Sequence, residues 1–581
     1  MGAGLRPFYR VIKYDWEMLD TRSKQYLGIT VTAAVAAVTL IMAPYTSIDP
    51  INLPKLATLA FFSIVVLSLI TPAIRKVISS EFRVLVLLAT LFIIQTFLVL
   101  IFSGSSFEGQ FYGTFGRNTG SLAYLSLTIL LLGAALVSER EMLKRFIYIT
   151  LILGALLIIY GNIQYLGLEP LPFQNAYKAN APIGTFGNPD FQSAFMGLIS
   201  VVSFTMALNA SFKFAIRFAL ALMGFASLIV VYETLAKQGY FSFLAGTGVV
   251  IVLWSFMTKR KTLAISLSSV GIVGAGAVFL GLINTGPLAS YLYKSSLEAR
   301  GYYWRAGLKM LIDHPFFGVG MDGYGDWFRR SRPADTLANG FLSVSNTAHN
   351  VFLDIASSGG FPLIITYCGI LSMVIVSIVR VVKRNDGFDV YFVAVAGAWA
   401  AYQVQSFVSI NQLGLAIWGW VLSGLIIGYE INTRIKDTGE TKVASQKKLG
   451  KGATRINQKL SPVTVVSLFC GLLLGALIAI PPYVASASYF SALKSGDLNI
   501  IQSAAYLKPY AENRFNQVAA TLQGNKLEAQ AIIVVRDGTL HFPDSIDLWQ
   551  LWASIPSAAP SDVAHAKAEI ARLDPIGSKL K

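Results

Sequence analysis

The chain is poor in charge, cysteine and histidine, and each shortage removes a class of function. Charged residues make up 13% of its 581 positions, against roughly 25% in an average soluble domain. Its two cysteines, Cys368 and Cys470, both fall inside apolar runs, which suits small core residues rather than a disulfide framework. Four histidines and no Cys, Asp or Glu clustered at ligand spacing predict no tightly held metal, and no cofactor is expected. The glycines at 318, 320, 323 and 325 lack a preceding strand and a Lys-Ser/Thr ending, so they make a poor nucleotide-phosphate loop. No small-residue cleavage site precedes the first apolar run, so that run reads as a retained helix.

Apolar length is abundant. Hydrophobic residues are 54% of the chain, and the mean hydropathy is +0.58. A membrane-spanning helix needs ~20 apolar residues. Such runs recur at 27–45, 56–74, 83–102, 120–137, 146–165, 190–208, 214–233, 239–257, 262–283, 361–380, 388–408, 412–431 and 462–485. The predicted fold is therefore an all-α, polytopic transmembrane bundle of 12–13 spans.

The net charge of +16 does not point to nucleic acid, because the cations are not gathered on one face. Lys and Arg cluster at 6–24, 75–83, 140–145, 213–217, 259–261, 380–384 and 434–459, which are alternate loops. Lys55, Arg117, Lys178 and Lys237 are scattered singly between them. Cytoplasmic loops collect Lys and Arg, so the phase predicts a multi-pass membrane protein with a cytoplasmic N-terminus (1–26). Residues 27–433 form the main membrane domain, interrupted by an extracytoplasmic loop at 284–350. A basic cytoplasmic linker (434–460), suited to anionic lipid, leads to a last span (461–485) and an extracytoplasmic tail (486–581). In that tail Pro509, Pro543 and Pro575 recur at 34 and 32 residues, near the tetratricopeptide period, with Ala529 and Ala566 as candidate small residues at helix crossings. An irregular helical cap fits the same pattern.

Most of the chemistry lies in the 284–350 loop. In "LEARGYYWRAGLKMLI" (297–312) Arg300 borders an apolar helical stripe one turn before Trp304. A cation held there either meets an anion such as a lipid diphosphate or snorkels toward headgroups; Arg305 is the fallback. His314, before Pro315, reads as a residue that shapes its loop. His349 and Asn350 stand where an apolar run begins. An imidazole at that boundary can take a proton from a hydroxyl or anchor the interface, and Asn350 can hold substrate or cap the helix. "PIGTFGNPDF" (182–191) offers Asn188 as a helix cap, and "YGTFGRNTGS" (112–121) sets Arg117 among glycines.

Arg-x-x-x-Trp followed by Asp-His-Pro and Gly-x-Gly at 300–320, with His-Asn and a later glycine at His349, Asn350 and Gly360, resembles the O-antigen ligase and polymerase family. That family includes the bacterial protein O-oligosaccharyltransferases. The Gly-Asn-Pro at 187–189 is similar too. The resemblance covers roughly 110–430. It implies transfer of a glycan from undecaprenyl diphosphate to an acceptor hydroxyl on a glycan, lipid or protein. His349 would be the base and Arg300 the diphosphate partner, helped by Arg117 or Lys237. Where family members carry Ser-Arg-Gly after the seventh span, this chain has Lys237 and Gln238. A solute transporter and a non-catalytic envelope scaffold are the alternatives; mid-membrane ionisable residues and repeated broken helices would favour transport.

Overall fold

A computed structural model describes Leu19 and residues 21–172, 180–292, 295–338, 340–385, 387–443 and 462–579. Most of the first basic segment, Lys178 and most of the 434–460 linker lie outside these residues. Among the described residues the secondary structure is helical throughout.

All thirteen predicted spans coincide with helices: α1 Thr21–Leu40, α2 Asn52–Ile70, α3 Arg83–Phe102, α4 Ser121–Val137, α5 Arg140–Tyr165, α6 Pro189–Ala207, α7 Phe214–Glu233, α8 Gln238–Met257, α9 Lys261–Leu282, then α12 Val351–Arg384, α13 Val390–Ser406, α14 Leu413–Val443 and α15 Pro462–Ser495. Between α9 and α12 lie α10 Ser295–Asp313 and α11 Tyr324–Ser331. Ten of the described helices are long and apolar enough to cross a bilayer. Of the predicted spans, α1, α4 and α13 fall outside that ten. Helices α4 and α13 have 17 residues each and are buried around almost their whole circumference. They face protein rather than lipid. The chain is a multi-pass membrane protein.

Small residues set the packing, since apolar burial alone does not drive helices together in lipid. Gly424 and Gly428 on α14, four residues apart, press on the backbone of α4. A Cβ on either would come within 2.2 Å of the Leu131 carbonyl oxygen or 2.0 Å of that of Ala135. Gly197 on α6 meets Gly239 on α8 just as closely. At the end of α1 the fully buried Lys55 donates to the carbonyls of Val38 (2.7 Å) and Thr39 (2.9 Å), groups that a helix leaves unsatisfied. Thr185 Oγ1 donates to the Thr39 carbonyl as well (2.6 Å), which ties the loop before α6 to this end of the bundle.

Helix α12 is broken. Gly360 has φ 72° and ψ −176°, a region that only glycine visits. The carbonyl and amide groups released by the break find partners in the 315–320 loop. Phe361 donates to the Pro315 carbonyl (2.8 Å), Val319 to that of Ser357 (2.9 Å) and Gly320 to that of Ser358 (3.1 Å). Gln95 on α3 donates to the carbonyls of Phe316 (2.6 Å) and Gly359 (3.1 Å). Irregular backbone at membrane depth survives only where protein satisfies it in this way. Pro362 sits in the second half-helix just after the break, so it removes no needed donor.

The tail forms two helical hairpins, α17 Glu512–Gly524 with α18 Glu528–His541 and α19 Ile546–Ser554 with α20 Pro560–Leu573, preceded by α16 Leu498–Ala504. Ala566 is fully buried, whereas Ala529 is exposed and Ala531 takes the core position. The tail core grows from Tyr489 and Ala492 at the end of α15, so the helix runs through the 485/486 boundary expected from composition.

Candidate functional site

The start of α12 is built around an acid that the sequence reading did not single out. Asp354, buried one turn into the helix, accepts from Thr347 Oγ1 (2.6 Å) and from the Ala348 amide (2.7 Å). Thr347 Oγ1 accepts from the His349 amide (3.2 Å), and Asn350 Oδ1 caps the Leu353 amide (3.1 Å). These bonds hold His349 in a left-handed conformation, φ 51°. An acid in the first turn of an apolar run is the signal that could have revealed Asp354.

The His349 ring stacks on Tyr303 of α10, with centroids 5.5 Å apart and planes 24° from parallel. The Tyr303 backbone is fixed in turn by Tyr324 Oη, which donates to its carbonyl (2.6 Å). His349 helps line a cavity of about 340 Å³, together with Arg117, Asn188, Asp190, Asn346 and Asn52. These residues come from four separate stretches of the chain.

Arg117 is buried and reaches the Asn346 carbonyl through Nη1 (2.5 Å), while its Nε lies 3.5 Å from Asp322 Oδ1. Asp322 is itself held by the Thr114 amide (2.8 Å), the Thr119 amide (3.2 Å) and Thr119 Oγ1 (3.0 Å). Asn188 caps α6 by accepting from the Asp190 amide (2.8 Å), with Pro189 at the first helical position. Arg300 is half-buried and not among the wall residues, but its charge acts on Asp190 and His349, which are. Burial lowers the Arg300 pKa, with Asp190 and Tyr303 opposing.

Burial, and then the positive charges of Arg300 and Arg117, push His349 down from 6.5 to about 4. The imidazole is therefore neutral at pH 7 and has a lone pair to offer. An unperturbed histidine titrates near 6.5; burial first, and the two guanidinium charges second, are the reasons for the difference.

The structure thus brings together His349, Asn350, Arg300, Arg117 and Asn188. It leaves four other candidates apart. Arg305 is exposed, pairs with Asp335 at 2.9 Å and lies over the Tyr302 ring. Lys237 is exposed and Gln238 is buried at the start of α8; neither lines the cavity. His314 packs edge-on to Trp327 at 4.5 Å, a shaping role for its loop. Tyr303, Asn346, Asp322 and Asp190 are the site residues that sequence reasoning missed or set aside.

Residues 218–368 match the family model described as O-antigen ligase. The match takes in Arg300, His349, Asn350 and the Gly360 break, and stops short of Arg117 and Asn188. An uncharacterised protein of Haemophilus influenzae is 26% identical over 172 residues, which is 27% of this chain and 43% of that protein. The match thus spans less than half the length of that relative.

Proposed function

We propose that this O-antigen ligase-like membrane protein is a glycosyltransferase of cell-surface polysaccharide assembly that moves a glycan from an undecaprenyl diphosphate carrier to an acceptor hydroxyl. The observation that carries the reading is a cavity lined by a neutral histidine, His349, and by Arg117, with the charge of Arg300 acting on two of its wall residues, His349 and Asp190. An acceptor oxygen attacks the anomeric carbon, and the bond from that carbon to the diphosphate oxygen breaks. The hydroxyl proton passes to His349. The charge left on the diphosphate is balanced by Arg300, with Arg117 behind it. No nucleotide sugar is required, because the diphosphate is the leaving group.

The electrostatics fit that sequence of events. Without donor, Arg300 faces Asp190, and the two guanidinium charges keep His349 a weak base. A diphosphate placed among them offsets both arginines, so His349 gains basicity when a donor is present. Arg117 is already committed to Asn346 and Asp322, which makes Arg300 the principal anion partner. The transfer chemistry is the same whether the acceptor hydroxyl belongs to a glycan, a lipid or a protein.

The test is transfer by purified full-length protein in lipid nanodiscs, with undecaprenyl diphosphate-linked glycan as donor and cell-envelope acceptor extract. Transfer by wild type and its loss in His349→Ala supports the reading. A correctly folded His349→Ala protein that transfers at the wild-type rate overturns it.

A further inference from the structure

A second cavity, of about 280 Å³, lies against the first and shares one wall with it. Two short segments build that wall, and neighbouring residues of each face opposite sides. From the first segment Ile48 and Leu53 line the second cavity, whereas Asp49 to Asn52 line the first. From the second segment Gly113 to Phe115 and Asn118 line the second, whereas Gly116 and Arg117 line the first. The Arg117–Asp322 pair crosses the wall: Arg117 belongs to the histidine cavity, and Asp322 to the other.

The far side of the second cavity is the tail. Arg330 and Arg332 of the 284–350 loop hold it there, Arg330 pairing with Asp544 (2.9 Å) and Arg332 reaching both oxygens of Asp574 (2.7 Å each). Glu512, Asn516, Tyr510 and Asp547 then face Asp326 and Tyr112 across the space.

The two cavities have opposite electrostatic character. The second has six carboxylates in its walls and one guanidinium, that of Arg514. Arg514 is 4% exposed, and its Nε has no hydrogen-bond partner. Burial and the nearby Glu512 and Asp544 push the Asp326 carboxyl well above the usual range. Such a space repels a diphosphate. Carboxylates and amides beside tyrosine rings are what a sugar ring needs, since they accept from its hydroxyls while the rings cover its C–H faces. The volume is at the low end of small-molecule sites, roughly 300–1,000 Å³, and fits a terminal sugar or two.

We infer that this second cavity is the acceptor subsite, and that it takes an uncharged or amino-bearing, hydroxyl-rich saccharide end while excluding anionic sugars. The inference rests on the transfer reading for the word acceptor, but saccharide binding there is measurable without any transfer. The tail is then one wall of a substrate site.

Saturation-transfer NMR on the full-length protein in detergent tests it, with maltotriose, the glucosamine trimer and a hyaluronan tetrasaccharide as probes. Maltotriose or the glucosamine trimer should bind, and the anionic tetrasaccharide should not. Asn516→Trp fills the space and should abolish the signal. Asp326→Asn preserves shape but replaces the carboxyl with an amide, and should weaken binding several-fold, the loss expected for one neutral hydrogen bond. Gel filtration and thermal unfolding check that both variants fold. Absence of signal from both the neutral and the amino probe, a signal unchanged in both variants, or preference for the anionic probe overturns the inference. Inorganic diphosphate, titrated separately against wild type and Arg300→Met, reads the first cavity. Its failure to bind while saccharide binds would sink the transfer reading and leave this site standing.

Discussion

The depressed pKa of His349 has a consequence for stability that can be isolated. The fall from 6.5 to about 4, at ~1.4 kcal/mol for each tenfold change in proton affinity, amounts to about 3 kcal/mol. Folding favours the neutral ring, so this contribution is fully present above pH 6.5. It is lost progressively as the pH falls toward 4, where the folded protein must also take up the proton. Asp326 and Glu512 shift the opposite way, since burial raises both carboxyls. A bare stability profile therefore mixes the two signs. The difference between wild type and His349→Gln separates them, because glutamine keeps a neutral polar side chain that does not titrate. Denaturant unfolding of detergent-solubilised protein at pH 7.5, 5.5 and 4 is the assay. The advantage of wild type over His349→Gln should shrink by about 3 kcal/mol from pH 7.5 to pH 4, with most of the loss below pH 6. A difference that stays constant, or grows in acid, would refute the claim that His349 is enclosed and neutral. The same enclosure fixes the kinetics: the acid limb of kcat/KM belonging to His349 should lie near pH 4 rather than 6.5, and that of kcat should lie higher, because bound diphosphate offsets the arginines.

Further perturbations read other parts of the argument. His349→Ala should lower transfer by about 10²–10⁴-fold, the usual cost of losing a general base, and Arg300→Lys should also be damaging because an ammonium cannot reproduce the two-pronged grip on phosphate oxygens; accumulation of lipid-linked glycan in cells measures both. Gly360→Ala places a Cβ 2.5 Å from the Pro315 oxygen in a region closed to other residues, so it should cost at least about 1–3 kcal/mol and lower the thermal unfolding temperature, whereas Gly276→Ala on the periphery should not. Arg332→Ala leaves Asp574 without its buried partner; a loss of about 3–5 kcal/mol at the tail contact should appear as faster proteolysis within 486–581 while the membrane bundle stays intact. For topology, cysteines at the exposed Ser343 and Ser557 should both react with a membrane-impermeant reagent added outside the inner membrane; protection of either one contradicts the extracytoplasmic assignment of its segment.

The helices were legible because length and hydropathy act locally. All thirteen apolar runs became helices; at the Asn188 cap the start moved by a single residue, from 190 to Pro189, whereas the Asn350 cap starts α12 at Val351, well before the apolar run at 361–380. The site was legible only in part, and the residues show why. His349 and Asn350 sit in one motif, and Arg300 borders an apolar stripe, so each carries a local mark. Arg117 carries only its place among glycines. Its importance depends on Asp322, 205 positions away, and on the Asn346 carbonyl. Asp190 stands in the first turn of α6, where an acid is ordinary, and only the folded chain brings the charge of Arg300 to act on it.

The tail shows the same limit from the other direction. Composition set it apart at residue 486 as a soluble, helical segment, and within its own hairpins that reading holds. Nothing local announces that Asp544 and Asp574 meet Arg330 and Arg332, because an isolated Asp on a soluble helix is ordinarily a solvated charge. The partners lie more than two hundred positions upstream, and only the fold gives the four charges a reason to be where they are. A tail held by two ion pairs at the rim of a cavity can be loosened without unfolding the bundle. Its removal should therefore act on acceptor binding before it acts on the chemistry at His349. Truncation after Ser495 is the direct measure: diphosphate binding should persist while saccharide binding disappears, and loss of both together would mean that the tail also holds the 284–350 loop in its working shape.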